Sequence, residues 1–106
     1  MNPADELRTA AQTLMDLADV AQDDLDTDDY WKPYPKATAW RDGLTNGMGG
    51  TSGDLAAVFS PAVAHALAAW LRSVADALAT NTHPDWQECA APRAVAVARQ
   101  INGGQP

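Results

Sequence analysis

The stretch that decides the fold is residues 60–80, SPAVAHALAAWLRSVADALAT. Ser60 is a good helix N-cap, and Pro61 follows it at the first helical position, where proline is preferred. The larger apolar residues repeat at helical spacing, and they are Val63, Leu67, Trp70, Leu71, Val74 and Leu78. The pattern therefore predicts a helix at about residues 61–80.

Polar residues cover only a narrow strip of this helix, about 100° wide when successive residues are placed 100° apart. They are His65, Arg72, Ser73, Asp76 and Thr80. A helix that is polar over so little of its circumference must be covered by neighbours on most sides. We expect it to be either the central helix of a small bundle or part of a homodimer interface.

Two more helices are predicted on either side of this one. The first covers about residues 3–22, because Asn2 is a good N-cap, Pro3 suits the first turn and an apolar seam follows. The seam consists of Leu7, Ala11, Leu14, Ala18, Ala21 and Leu25, widened by Ala10 and Leu17. A short helix at about residues 92–101 begins at a proline and stops at Asn102-Gly103-Gly104.

The intervening residues 26–59 are expected to be irregular. Prolines interrupt the aromatic segment Tyr30–Pro35, and five glycines lie between Gly43 and Gly53. Asn46-Gly47 is a hairpin-type turn signal, so residues 37–44 and 55–59 could pair as a short β-hairpin. The fold class that we predict is mainly all-α: a single small helical domain, residues 1–106, built as a three-helix bundle.

Composition narrows the class of protein. The 106 residues suit one domain, and the net charge is −7. Residues 1–29 contain nine acidic side chains and one basic side chain, which argues against direct nucleic-acid binding through phosphates. The lone Cys89 cannot form an internal disulfide, and neither a signal peptide nor an apolar stretch of about 20 residues is present. We expect a soluble, cytoplasmic protein that does not enter a membrane.

No motif meets the requirements of a catalytic, cofactor or metal site. Asp24, Asp26 and Asp28 have the spacing that opens an EF-hand loop, but Asp29 and Pro35 stand where Gly and Glu are required. The glycine-rich residues 47–53 lack the lysine of a phosphate-binding loop. His65, His83 and Cys89 have no spacing typical of zinc or thiol chemistry. We expect no catalytic residue, no cofactor and no metal ion, and a frayed, solvated end to the first helix.

The candidate interaction surface combines the acidic run with the aromatic segment beside it. Its residues are Asp16, Asp19, Asp23, Asp24, Asp26, Asp28, Asp29, Tyr30, Trp31 and Tyr34. Large rings with a polar tip are good interface anchors, particularly beside rigid prolines. For Trp40 and Trp70 the preferred interpretation is instead that they cover the open end of an alanine-rich core.

Three segments carry a family resemblance: residues 4–11 (ADELRTAA), 60–71 (SPAVAHALAAWL) and 94–99 (AVAVAR). Together they resemble a group of short uncharacterised, alanine-rich helical proteins of actinobacteria and their phages. The chain departs from that group where the acidic run and residues 30–35 replace a short proline-glycine-proline-tryptophan turn. The resemblance implies a helical fold and an actinobacterial or phage source, and it implies no activity.

The function that these observations favour is non-enzymatic: an accessory protein of phage or mobile-element type that binds an unidentified protein partner. One alternative is an acidic nucleic-acid mimic that inhibits a host nucleic-acid-binding or defence enzyme, since the acidic row could imitate phosphates. A second alternative is a small cysteine-dependent enzyme, which would need Cys89 and His83 to converge with a carboxylate.

Overall fold

The computed structural model describes residues 1–103, which form six α-helices and one turn of 3-10 helix at Asp29–Trp31. The α-helices are α1 (Pro3–Thr27), α2 (Ala39–Met48), α3 (Gly50–Val58), α4 (Pro61–Leu78), α5 (Pro84–Ala90) and α6 (Pro92–Gly103). These residues contain no strand. The mainly all-α prediction is confirmed, but the number of helices is six and not three. Gly104, part of the predicted stop signal, lies outside the described residues, as does the rest of 104–106.

The predicted β-hairpin is wrong, because α2 and α3 occupy its place. Gly49, with a φ of +69°, is the single residue between the two helices, so the chain turns there, and the predicted turn residues Asn46-Gly47 lie within α2. Gly53 lets α3 approach α2 closely: a Cβ there would lie 3.3 Å from the backbone oxygen of Leu44. Four of the five glycines that suggested a loop therefore lie within helices, and at Gly43, Gly47 and Gly53 close packing outweighs the low helix propensity.

The chain divides into two compact units, which we describe separately. Unit 1 consists of residues 1–15 together with the chain from His65 onward, and unit 2 consists of residues 16–64. The organisation as a single domain stays a prediction.

Unit 1 buries the large apolar side chains, and its core comes from α1, α4 and α6. The buried residues are Ala4, Leu7, Ala10, Ala11, Ala68, Leu71, Ala75, Leu78, Ala94, Val95 and Ala98. On α4 they recur every three or four residues and define one face. Trp70 lies off that face and is 45% exposed, so the prediction that it covers the core is wrong.

A buried glutamine joins three elements of unit 1. Gln87 on α5 is 1% exposed, and its Oε1 accepts a hydrogen bond from the backbone N–H of Ala4, at 3.2 Å. Its Nε2 donates to the backbone oxygens of Leu78 (3.2 Å) and Asn81 (2.9 Å). One side chain thus satisfies an unpaired amide at the start of α1, and it binds the carbonyl of Leu78 at the end of α4 and that of Asn81 in the turn that follows.

An arginine forms a second polar connection in unit 1. The guanidinium of Arg99 on α6 donates to both carboxylate oxygens of Glu88, at 2.6 and 2.7 Å, and to Glu6 at 3.0 Å. These hydrogen bonds from Arg99 lower the pKa of Glu88, against the opposing effect of desolvation. The contact joins α6 to α5 and α1.

Unit 2 buries only small residues: Ala18, Ala39, Gly43, Gly53 and Pro61. Seven large apolar side chains of unit 2 are 40–63% exposed, and they are Leu17, Val20, Met48, Leu55, Val58, Phe59 and Val63. The prediction that Leu17 widens the buried seam of α1 is therefore wrong. Counting Tyr30 as well, eight exposed large apolar side chains belong to unit 2 and three to unit 1 among the described residues.

Helix α1 does not fray at residue 22 but continues to Thr27. The hydroxyl of Thr27 donates to the backbone oxygen of Asp23 (2.8 Å), and the amide of Gln22 donates to the carboxylate of Asp26 (3.1 Å). At the other end, the side chain of Asn2 accepts from the N–H of Asp5 at 2.8 Å, which confirms the predicted N-cap.

Within residues 1–103 we find no single helix that is both long and apolar enough to cross a membrane; α3 and α4 meet that test by length and composition only when taken together as a bent pair.

Candidate functional site

Four aromatic side chains cluster in unit 2. The indole of Trp31 stacks on that of Trp40, with ring centroids 5.5 Å apart and an interplanar angle of 13°. Tyr30 meets Trp31 edge to face at 5.0 Å, and its ring lies 6.1 Å from that of Tyr34. Both arrangements are favourable for aromatic pairs. The segment that the sequence predicted to be irregular is therefore held by ring contacts.

Hydrogen bonds fix the tyrosines of this aromatic cluster. The carboxylate of Asp28 accepts from the N–H of Tyr30 at 2.9 Å and so caps the 3-10 turn. The hydroxyl of Tyr30 donates to the backbone oxygen of Gly43, and that of Tyr34 accepts from Asn46 at 2.9 Å. Burial of the Tyr30 hydroxyl raises its pKa above the ordinary value. Rings held in this way lose little conformational entropy when they bind a ligand.

Helix α2 offers a glycine face to the cluster. Gly43 and Gly47 are four residues apart and so lie on the same side of the helix. A Cβ at residue 43 would lie 2.7 Å from Cε3 of Trp31, and one at residue 47 would lie 2.8 Å from the hydroxyl of Tyr30. The ring of Trp31 and the hydroxyl of Tyr30 can approach α2 this closely only because both residues lack a side chain.

Beside the cluster is an open cleft of about 400 Å³. Trp31 and Tyr34 form its aromatic wall, while Leu25 and Ala39 add apolar surface. Two carboxylates and two ammonium groups also line it, from Asp26, Asp28, Lys32 and Lys36. The cleft therefore offers ring faces and both signs of charge within a small volume.

The structure divides the predicted interaction surface into two parts. Asp26, Asp28, Trp31 and Tyr34 meet in the cleft, and Tyr30 of the 3-10 turn fixes the segment to α2 by its hydrogen bond to Gly43. Asp29 forms an ion pair with Lys32 at 2.6 Å. The other four acidic residues are exposed along α1 outside the lining of the cleft, and they are Asp16, Asp19, Asp23 and Asp24.

Sequence reasoning missed the residues that hold the cleft in place. Gly43 and Gly47 were taken as loop glycines, and Asn46 as part of a turn. Their spacing on one helical face was the available signal, but it is visible only once α2 is known to be a helix.

The reactive side chains lie elsewhere. His83 caps α5, with Nδ1 accepting from the N–H of Asp85 at 3.2 Å, and Cys89 is exposed on the same helix. His65 is partly buried in α4. In the part of the chain that the structure describes, no three His, Cys, Asp or Glu side chains are grouped so that they could hold a metal ion.

Comparison with protein-family models, with curated proteins and with solved structures finds no significant match to this chain.

Proposed function

We propose that this chain is a non-enzymatic protein-binding domain that takes a segment of a partner protein into the cleft beside Trp31 and Tyr34. The observation that carries the proposal is the position of Trp31 and Tyr34, whose rings are held in place beside a cleft that is lined by both acidic and basic side chains. Aromatic anchors dominate the energetics of protein interfaces, and opposite charges set the register of the bound segment. An accessory protein of phage or mobile-element type would act through such a contact.

The geometry favours a particular partner chemistry. An apolar or aromatic side chain fits against the wall formed by Trp31, Tyr34 and Leu25. A basic residue beside it would meet Asp26 or Asp28. An acidic residue would meet Lys36, because the other lysine of the cleft, Lys32, is already paired with Asp29. The preferred segment is therefore short, apolar at its centre and charged with both signs at its ends.

A peptide-display selection tests the proposal directly. A random peptide library is selected on the purified protein, and the affinity of the recovered peptides is measured by calorimetry. Asp26→Lys should weaken binding at least roughly tenfold, because it reverses a charge inside the cleft. Asp23→Lys is the matched control, since Asp23 is exposed on the same helix but outside the lining, and it should leave the affinity unchanged. Equal effects of the two variants, or no selected peptide, would count against the cleft.

A second candidate function, nucleic-acid mimicry, gains support from the length of α1. Since the helix continues to Thr27, Asp16, Asp19 and Asp23 stay on one continuous, exposed helical face. Residues at this spacing have side chains about 5–6 Å apart, which is a regular row of negative charge. Such a row could occupy the groove of an enzyme that binds nucleic acid.

This alternative makes a different prediction about salt. The protein should displace DNA from a basic nucleic-acid-binding enzyme, and displacement should weaken steeply as salt rises. Changing Asp16, Asp19, Asp23 and Asp24 together to Asn should abolish it. Displacement that is insensitive to salt would rule the mimic out, while leaving the cleft hypothesis untouched.

A further inference from the structure

A second cavity in unit 2 shares Gln22, Leu25 and Lys36 with the cleft and so lies next to it. Its volume is about 280 Å³, close to the lower end of the range for small-molecule sites. The rest of its lining comes from the residues just before α2, the first turn of α2 and the junction of α3 with α4. These residues are Ala37, Thr38, Trp40, Arg41, Ala57, Ser60, Pro61 and Ala62. About half of the lining is apolar, so the cavity can take the carbon skeleton of a ligand as well as a polar group.

The charged side chains of this cavity are all cationic. Unit 2 contains nine acidic and three basic residues, yet two of the basic residues line the cavity and none of the acidic residues does. The two are Lys36 and Arg41. Arg41 already donates its Nε–H to Asp42 at 3.3 Å, whereas Lys36 has no ion-pair partner among residues 1–103. Within an acidic unit, the lining therefore favours an anion, and Lys36 provides the available charge.

Hydrogen-bond donors accompany this charge. The Nε1–H of Trp40 is buried and has no acceptor among the described residues, which is costly for a polar group. The hydroxyl of Ser60 accepts from the N–H of Val63 at 3.2 Å, so its own hydrogen can be donated to a ligand. Ser60 also precedes α4, an 18-residue helix whose first turn contains no acidic side chain to offset the partial positive charge of its N-terminus. A negatively charged acceptor matches all three features.

We propose that this cavity binds a carboxylate group carried on a small apolar body. The carboxylate accepts hydrogen bonds from Lys36 and Ser60, and a ligand that enters against Trp40 supplies the acceptor that the indole lacks. One available ammonium group balances one negative charge, and the apolar part of the lining covers a carbon skeleton, so a carboxylate fits better than a doubly charged phosphate. A free organic acid and an acidic side chain of a partner protein share this chemistry. The inference does not require a peptide in the cleft.

An NMR titration that follows the indole N–H signal of Trp40, assigned with Trp40→Phe, tests the proposal on the purified protein. The probes are phenylacetate, for a free acid, and N-acetylglutamate α-amide, for an acidic side chain. Each is compared with the neutral amide of the same skeleton. We expect at least one carboxylate to bind more tightly than its amide and more weakly as salt rises, and the tighter of the two identifies the source. If neither carboxylate binds more tightly than its amide, the proposal is overturned, whatever peptides the cleft selects.

Two charge-removing variants distinguish the cavity from general attraction of anions. Lys36→Gln removes the available charge and should weaken binding of the carboxylate about threefold, the modest effect expected of an exposed ion pair. Arg93→Gln is the matched control, because it removes the same charge from an exposed residue of α6 that is outside the lining, and it should leave the affinity unchanged. Equal effects of the two variants would overturn the proposal.

A further variant supplies the carboxylate from the protein itself. Ala62→Asp places it in the lining and in the first turn of α4, where negative charge stabilises a helix. We expect ligand binding to be lost while the Tm rises, a combination that unfolding of the variant would not produce. Ala69→Asp, at an exposed position further along α4, should leave the affinity unchanged. An Ala62→Asp variant that binds the carboxylate as tightly as the wild type would contradict the assignment of the site.

Discussion

The six-membered ring of Trp31 lies directly against the backbone of Gly43, so close that a methyl group at residue 43 would overlap it. This contact sets the position of the aromatic cluster on α2. Trp31 in turn stacks on Trp40, which lies on α2 itself. The aromatic segment and the helix therefore depend on each other, and the cleft depends on both.

Replacing Gly43 by Ala should lower the free energy of unfolding. Overpacking costs about 1–3 kcal/mol, and the better helix propensity of alanine returns up to about 1 kcal/mol. We expect a net loss of about 1 kcal/mol in urea denaturation, together with a changed tryptophan emission spectrum. Gly103→Ala is the control, since a Cβ there meets nothing within 4 Å, and its effect should be close to zero. A stabilised Gly43→Ala variant would contradict the contact.

Replacing Gln87 by Ala should be strongly destabilising. The change leaves the N–H of Ala4 and the carbonyl oxygen of Asn81 without this partner, whereas the oxygen of Leu78 still accepts from the N–H of Asn81. Each buried unsatisfied group costs about 1–3 kcal/mol. Water that enters the space will reduce part of the cost of these unsatisfied groups, so we expect a loss of about 3 kcal/mol in the free energy of unfolding. Gln100→Ala, an exposed glutamine on α6, should change stability by less than about 0.5 kcal/mol. Similar losses in both variants would show that Gln87 is not the connection we describe.

The Glu88–Arg99 pair should stabilise the protein at neutral pH and not in acid. The pKa of Glu88 is lowered in the folded state, mainly by the hydrogen bonds from Arg99. A lowered carboxyl pKa contributes stability above the unfolded pKa of about 4.3, and this contribution disappears as the pH falls through the folded value. Glu88→Gln should therefore lower the Tm at pH 7, and the difference from wild type should vanish in strong acid.

A double-mutant cycle separates this ion pair from other effects of the same substitutions. The double variant Glu88→Gln/Arg99→Gln should have a smaller decrease in Tm at neutral pH than the sum of the decreases in the two single variants, since both substitutions remove the same interaction. Strict additivity at pH 7, or a Tm difference that persists in acid, would contradict the pairing.

Two aspartates of the acidic run should behave in opposite ways. Asp28→Ala removes the cap of the 3-10 turn and should cost about 1 kcal/mol in the free energy of unfolding. Asp23→Asn removes a negative charge close to the C-terminus of α1 and should add a few tenths of a kcal/mol, about 0.3 at low salt. An Asp28→Ala variant as stable as the wild type would show that Asp28 has no capping role, and a destabilised Asp23→Asn variant would contradict the unfavourable charge at the end of α1.

Much of unit 1 could be predicted from the sequence, because its signals are local. Apolar residues at helical spacing marked the seam of α1 and, through Leu71 and Leu78, part of the buried face of α4, and Asn2 marked the start of α1. Val63 was predicted on the same face but is 40% exposed. The prediction for Trp70 failed because periodicity alone does not fix which part of an apolar face is covered. Periodicity places a residue only within about a quarter of the helix circumference. When the apolar face is broad, packing against neighbouring helices determines which part of it is buried.

Unit 2 was predicted least well, and the cleft only in part. Asp26, Asp28, Trp31 and Tyr34 were candidates from their chemistry alone. The helices α2 and α3 were not predicted, since several glycines in a short segment are typical of loops. Here the absence of side chains permits Trp31 and Tyr30 to contact α2, a gain that no local propensity scale contains.

The sequence by itself determined the helical class, the main helices of unit 1 and the concentration of acidic charge in residues 1–29, because composition and periodicity act within a few turns of one chain segment. Only the tertiary structure decided that Gly43 would be a packing surface and that Gln87 would join segments more than 80 residues apart in the chain. It also decided that the aromatic rings would wall a cleft. Contacts of this kind depend on which distant residues meet, and their free energy comes from shape and from paired hydrogen bonds that form only after the helices pack.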